Sequence, residues 1–300
     1  MASQIRSVVV TGASSGIGRA TALLLAQKGW QVFATVCNDS DERSLTAASG
    51  GMLQPLKLEI TDSDSIAAAA AEVKVRLAGR GLNAIVNNAG IGTVMPVEHT
   101  SRQALRAIYE INLFGQIEVI QAFLPMLRQA RWRIVNIGSV GDYITPPFGG
   151  ALASSKAAFA AMSAALRLEV RGQGIQVSVV EPGSINTPAV GKTLGGVEKT
   201  IRELPPEGRA LYAESMRRMA TTFEASERAG SPPERVAMVI ERALTEQRPR
   251  LRYPAGKNAL KIVLAARLLP ERLLNRLILR TFGLSTTSHE VAQRRRLAVR

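Results

Sequence analysis

The chain predicts an α/β fold with a doubly wound parallel sheet, and three observations carry that prediction. Short β-branched runs alternate with longer Ala/Leu-rich segments of helical spacing. The runs are continuously apolar, so helices must cover both faces of the sheet, giving a three-layer αβα architecture. A glycine-rich turn, Thr11 to Gly18, joins the first run to the first helical segment. With 300 residues and 46% hydrophobic content, the chain is long enough to bury the core such a sheet needs.

The first strand is expected over Val8 to Thr11, where three valines lead into the turn. Further strands are expected at Gln31 to Val36, Leu53 to Leu58, Ala84 to Asn87, Arg133 to Ile137 and Gln176 to Glu181. Helical segments fill the intervals, and crossovers of this kind are right-handed. After Thr187 the alternation stops. Pro188 to Ser231 carries scattered charges, Gly195-Gly196 and Pro205-Pro206, and reads as a mobile helical lid rather than more sheet. A helix is expected to start at Ser231-Pro232-Pro233-Glu234, with Ser231 as cap and proline in the first turn, and to reach about Thr245. Beyond Gly256 two amphipathic helices meet at Pro270. The expected division is a domain over 1–255, with its lid over 188–231, and a basic amphipathic extension over 256–300. No internal repeat or low-complexity segment interrupts this order.

Composition narrows the function classes. Cys37 is the single cysteine, and His99 and His289 are the two histidines, so neither a disulfide framework nor a metal centre is expected. The N-terminus runs straight into an apolar strand without a signal-like segment, and no apolar stretch reaches the ~18 residues of a membrane span. A cytoplasmic setting is expected, with or without peripheral attachment to a membrane. The net charge of +14 favours anionic partners: a phosphorylated cofactor, an acidic membrane surface or nucleic acid. Nucleic acid is disfavoured, because no helix-turn-helix or aromatic-interleaved patch accompanies the late Arg267, Arg272, Arg276, Arg280 and Arg294 to Arg296. Near Pro270, Leu269, Leu273, Leu274, Leu277 and Ile278 share one helix side while Arg272, Arg276 and Arg280 recur on the other. That stripe suits an interfacial membrane helix, or a lid or dimer contact with a solvated basic face.

T-G-A-S-S-G-I-G, Thr11 to Gly18, follows a strand and opens a helix, the context a dinucleotide loop requires. Gly12, Gly16 and Gly18 permit a tight turn, close approach of backbone to a pyrophosphate and close helix packing, while Ser14, Ser15 and Ile17 lie at the helix start, where unpaired N–H groups face an anion. N-N-A-G (Asn87 to Gly90), Asn112 in I-N-L-F-G, Ser139 in I-V-N-I-G-S-V, Lys156 in A-S-S-K and E-P-G-S-I-N-T (Glu181 to Thr187) follow in order. From Val8 to Thr187 the chain resembles the short-chain dehydrogenase/reductase superfamily, with its Rossmann-type sheet. Arg248 to Gly256, R-P-R-L-R-Y-P-A-G, is similar to the branch of retinol and hydroxysteroid dehydrogenases.

The resemblance implies that Asn87, Ala89 and Gly90 line the adenosine side of a cofactor cleft, and that Asn112 holds a water in a proton relay. It further implies that Ser139 orients substrate, Lys156 binds the nicotinamide ribose, and Pro182, Gly183, Ile185 and Thr187 contact the carboxamide. The chemistry is hydride transfer between a nicotinamide and a small hydrophobic alcohol, ketone or aldehyde, and such proteins are often homodimers or homotetramers. One residue departs from the pattern. Thirteen residues after Ser139 and four before Lys156, where the family carries a tyrosine proton donor, stands Leu152. Three readings follow. Another donor could serve, Tyr143 or the adjacent Asp142 in a loop after Ser139 that can fold back over substrate, although the plainer reading makes Tyr143 a half-buried pocket wall. The fold could instead perform non-redox chemistry, as a cyclase, dehydratase or isomerase. It could also bind the dinucleotide without catalysis.

Cofactor choice rests on the end of the second strand. Family members selecting NAD usually carry an acid where Val36 stands, and those selecting NADP an arginine where Cys37 stands. Lack of carboxylate repulsion, with Arg19 and Arg43 nearby, tilts the expectation toward NADP(H) over NAD(H), although both arginines also fit as solvated helix charges. Glu59, in L-E-I-T-D, takes a place usually held by aspartate near the adenine amine. His99 is expected at the surface near the substrate entrance.

Overall fold

The computed structural model describes residues 5–194 and 196–284. Its sheet has seven parallel strands: β1 (Ser7–Val10), β2 (Gln31–Val36), β3 (Leu53–Lys57), β4 (Ala84–Asn87), β5 (Arg133–Ile137), β6 (Gln176–Pro182) and β7 (Arg252–Ala255). Their order is β3-β2-β1-β4-β5-β6-β7. β1 is central, with Val9 opposite Phe33 on one side and Ile85 on the other. The chain therefore reverses its winding direction between β1 and β4, which opens a crevice at the carboxyl ends of these strands.

The six strands expected from the sequence are present to within one residue at either end. β7 was not expected. It is an edge strand in which Tyr253 and Ala255 are buried while Arg252 and Pro254 are not, and an edge tolerates a proline that lacks an N–H.

Helices α1 (Gly16–Gln27), α2 (Asp39–Ser49) and α10 (Pro233–Thr245) cover one face, where Leu25, Leu45, Val236 and Ile240 are fully buried. Helices α3 (Ser63–Leu77), α5 (Gly115–Ala130) and α6 (Gly150–Glu169) cover the other, around Phe33, Phe123 and Phe159. Truncating any one of these phenylalanines to alanine would cost about 3–5 kcal/mol. Helix α4 (Arg102–Tyr109) runs into α5 through one π-helical turn, Glu110–Phe114.

The segment after β6 forms α7 (Pro188–Leu194), α8 (Val197–Glu203) and α9 (Pro206–Arg228). Val197, Ile201, Leu204, Met216 and Met219 pack with Val94 into a satellite core, which holds this lid against the loop after β4. The cap of α10 differs from expectation: Pro232 occupies it, with no side-chain hydrogen bond. Ser231 is engaged elsewhere, its N–H donating to Ser184 O (2.9 Å) and its carbonyl accepting from Asn186 N (2.9 Å). The C-terminal helices are α11 (Ala259–Leu268) and α12 (Glu271–Thr281), which meet at Leu269-Pro270. His289 and Arg294 to Arg296 lie outside the described residues. No helix among the described residues is long and apolar enough to cross a membrane.

Candidate active site

The glycine loop is built by steric exclusion. Gly12 and Gly16 have φ of +62° and +55°, a region costly for other residues. A Cβ on Gly12 would lie 2.9 Å from Ala89 Cα, and one on Gly18 would lie 2.3 Å from Gly12 O. Ser15 caps α1 without a side-chain hydrogen bond, which leaves first-turn N–H groups for an anion. Asn88, not singled out by its spacing, locks the loop to β4: its Nδ2 donates to Thr11 O (3.0 Å) and Gly12 O (3.2 Å), while Thr11 Oγ1 accepts from Asn88 N (2.8 Å) and Ala89 N (3.1 Å). Asn87 Nδ2 donates to Asn136 Oδ1 (2.8 Å), and Asn136 Nδ2 to Ser163 Oγ (2.7 Å). This buried polar ladder ties β4 and β5 to α6. Rigid backbone, a glycine cradle and uncapped N–H groups fit a dinucleotide pyrophosphate.

At the end of β2, Cys37 is exposed, with Sγ 3.6 Å from Leu58 O. Glu59 is turned to its own loop, accepting from Thr61 N (3.2 Å) and Thr61 Oγ1 (3.0 Å). Arg19 Nη1 donates to Ser44 Oγ at 3.4 Å, and Arg43 is exposed. Asp39, Asp41 and Glu42 occupy the first turn of α2 beside these arginines. Both signs of charge are therefore present at the end of β2, and the arginines do not act alone there.

Ser139, Leu152, Lys156 and Asn112 converge at the ends of β4 and β5. Ser139 caps the 3-10 turn Val140–Asp142, its Oγ accepting from Gly141 N at 2.9 Å. Leu152 and Lys156 lie one turn apart on α6, a spacing that places both on one helix face. Lys156 is buried and donates to Ile137 O at 2.8 Å. Burial lowers its pKa to about 8, opposed by the nearby charge of Asp142. Asn112 sits in the π-helical turn, a distortion common at functional sites. It accepts from Ile91 N (2.9 Å) and donates to Ile91 O (2.9 Å) and Ser155 Oγ (3.0 Å), and Ser155 Oγ donates to Leu152 O (2.8 Å). Gly90 keeps this corner open, since a Cβ there would lie 3.3 Å from Lys156 Nζ.

A cavity of ≈ 550 Å³ opens beside this corner, and Asn112 and Lys156 are not among its lining residues. Ser139 and Leu152 form part of its wall, and Ile17, Pro182, Gly183, Ile185 and Thr187 bring the glycine loop and the loop after β6 to it. Met219 and Phe223 reach it from α9, and Leu274, Leu277 and Ile278 from α12. The apolar stripe of the extension is thus divided: Leu274 and Ile278 are half-buried on the cavity, Leu277 lines it while remaining exposed, and Leu269 and Leu273 are exposed and do not line it.

Tyr143 does not join this cavity, a correction to the expectation that it folds back over substrate. Its hydroxyl donates to Glu181 Oε2 (3.1 Å) and accepts from Arg252 Nη1 (3.3 Å), and its ring lies under Arg252. The 3-10 turn after Ser139 directs it toward β6 and β7, where the guanidinium holds it. Arg252 also forms an ion pair with fully buried Glu181, and lies 3.6 Å from Asp142 Oδ2.

Asp142 is 3% exposed, and neither carboxyl oxygen has a hydrogen-bond partner. Burial, then the neighbouring Glu181 charge, pushes its pKa from 3.8 up to about 6, with Arg252 and Lys156 opposing. Because the folded-state pKa is raised, this group contributes stability below about pH 4 that is lost as pH rises through about 6. Asp142→Asn is therefore expected to stabilise the protein by about 1–3 kcal/mol at pH 8 and to lose that advantage near pH 4, as read by urea denaturation at both pH values.

His99 is also less exposed than its spacing suggested. Its ring meets Tyr212 of α9 edge-on at 5.8 Å and its Nε2 is buried near Gly208, so it is part of the lid packing.

The short chain dehydrogenase family model matches residues 6–195. Retinol dehydrogenase 5 of Mus musculus is 36% identical over 278 residues, covering 89% of this chain and 86% of that protein. An NADPH-dependent 3-dehydrocapnine reductase of Ornithobacterium rhinotracheale is 31% identical, covering 91% and 96%. Among solved structures, a short-chain dehydrogenase from Streptomyces avermitilis superimposes with a TM-score of 0.71 at 27% identity, covering 94% of this chain and all of that one. One from Burkholderia cenocepacia in complex with NADP shares the fold, with a TM-score of 0.68 at 23% identity, covering 94% and 98%. The family model spans more than half of the chain and relatives above 30% identity cover most of it: the chain belongs to the short-chain dehydrogenase family.

Proposed function

We propose that the chain is an NAD(P)-dependent oxidoreductase acting on a hydrophobic alcohol, ketone or aldehyde, with NADP(H) preferred and an active site that lacks the family's tyrosine. The observation that carries this reading is the cavity, whose largely apolar walls meet Ser139 at the point where the glycine loop and the loop after β6 converge. A relative named a retinol dehydrogenase and another named an NADPH-dependent reductase support the substrate class and the cofactor.

A nicotinamide dinucleotide, when bound, exchanges a hydride with the substrate carbon. The chain's residues do the rest. The glycine loop and α1 would hold the pyrophosphate, Lys156 the ribose, and the loop after β6 the carboxamide. The Ser139 hydroxyl donates a hydrogen bond to the carbonyl oxygen as negative charge develops there. Leu152 supplies no proton, so protonation of that oxygen limits the rate. Tyr143→Phe is expected to change kcat/KM by less than about twofold, because its hydroxyl serves the Glu181–Arg252 pair; a loss in the ~10²-fold range typical of a general acid would return Tyr143 to the mechanism.

Arg19 and the lack of an acid at Val36 support NADP(H), and the carboxylates of α2 weigh against it. Fluorescence titration of the nicotinamide tests this directly, with the Kd for NADPH expected below that for NADH. Exposed Leu264, Leu268 and Leu273, beside Arg272 and Arg276, support peripheral contact with an acidic lipid surface, where a lipophilic substrate would partition. A second reading, non-redox chemistry or cofactor binding alone, is favoured by Leu152: a hydrocarbon lines the cavity where the acid would stand.

A further inference from the structure

One end of the cavity is polar, and its chemistry is independent of Ser139 and Lys156. Glu227, in the last turn of α9, lines the cavity together with Thr222 and Ser226 of the same helix. Its Oε2 accepts from Ile185 N at 3.1 Å, and Ser184 Oγ lies 3.0 Å from Ser226 Oγ beside it. Among the described residues no cation forms an ion pair with this carboxylate, although Lys261 also lines the cavity, and burial raises the Glu227 pKa against the hydrogen bonds from Ile185 N–H and Ser184. A carboxylate held only by neutral donors against a largely apolar chamber keeps part of its desolvation cost, so a ligand that brings a positive charge there relieves it.

The geometry points to Glu227 as the anchor for an ammonium group on the ligand, so that the cavity takes a cationic amphiphile whose hydrocarbon lies against Leu274, Leu277 and Ile278 of α12. The inference rests on reading this cavity as the substrate site. Cavities of this type take their orientation from a few polar groups among apolar walls. Glu227 supplies one such group from a helix of the lid, its carboxylate oriented by the Ile185 N–H and the Ser184 hydroxyl, both neutral donors. The hydrogen bond would be charge-assisted, the stronger class.

The test is displacement of Nile red, a neutral apolar fluorophore, from the full-length protein with NADPH present. Decylamine, decanol and N-decylacetamide are compared. Decylamine is expected to displace the probe at about tenfold lower concentration than the other two. Glu227→Gln, which keeps an acceptor for Ile185 N–H, is expected to bring the amine-to-alcohol ratio to about one. Carbodiimide activation with decylamine bound, followed by peptide mapping, is expected to locate the new amide at Glu227 in the unaltered chain, an outcome that does not depend on the variant folding. Equal displacement by all three ligands, an unchanged ratio in folded Glu227→Gln, or coupling only at other carboxylates would overturn the inference. Amine preference without any NADPH consumption would sustain the anchor while counting against the oxidoreductase reading.

Discussion

Leu152→Tyr is expected to raise NADPH-linked carbonyl reduction by about 10²–10⁴-fold, the range a positioned general acid contributes. The surroundings for a phenol are already in place. Position 152 is half-buried on the cavity wall, one helical turn before Lys156, whose ammonium would lower the pKa of a phenol beside it. Asn112 is bound to the same turn through Ser155, which in turn bonds Leu152 O, so the backbone there is held independently of the side chain. The ring has room in the ≈ 550 Å³ cavity, on the side where Gly92 has no Cβ; one there would lie 3.2 Å from Leu152 Cδ2. The effect should fall on kcat, since an acid acts in the transition state, with KM changed little. An unchanged kcat in a folded, NADPH-binding variant would mean that protonation is not the limiting step.

Arg252→Met is expected to destabilise the protein by about 3–5 kcal/mol at neutral pH, because one guanidinium serves two buried carboxylates. Glu181 is fully buried and Asp142 nearly so, and Arg252 is the ion-pair partner of both. Burial already raises both carboxyl pKa values, with Arg252 opposing the shift. Without the arginine both would rise further. The sign follows: raised folded-state pKa values mean lower stability as pH increases, so the loss should be larger at pH 8 than at pH 5. Adding Asp142→Asn should recover part of it at pH 8, as a coupled pair requires. Urea denaturation of the unaltered, single-variant and double-variant proteins at the two pH values measures these differences.

The inner parallel strands were legible because they are buried on both faces, as all four residues of β1 are. β7 was not, because R-Y-P-A on an edge shows only two inward residues, and charge and proline obscure the alternation. The cofactor half of the site was legible for a steric reason: a Cβ on Gly12 or Gly18 collides with backbone, so the glycines mark their own function. Tyr143 was misplaced because its partner, Arg252, is 109 residues away, and spacing within the loop after Ser139 carries no trace of that capture. Ser231 reads locally as a helix cap, yet its backbone is drawn into a bridge with the loop after β6. The apolar stripe of α12 was visible in sequence, but only the fold shows that Leu274, Leu277 and Ile278 close the cavity.

Absorbance at the nicotinamide band, followed when the unaltered chain is mixed with NADPH and a series of lipophilic ketones and aldehydes, decides whether the native protein is an oxidoreductase. Saturable NADPH binding and a slow, protein-dependent loss of absorbance with at least one member of the series are expected. Binding without any loss, with turnover arising only after Leu152→Tyr, would contradict the oxidoreductase reading and assign the native chain to the non-redox one.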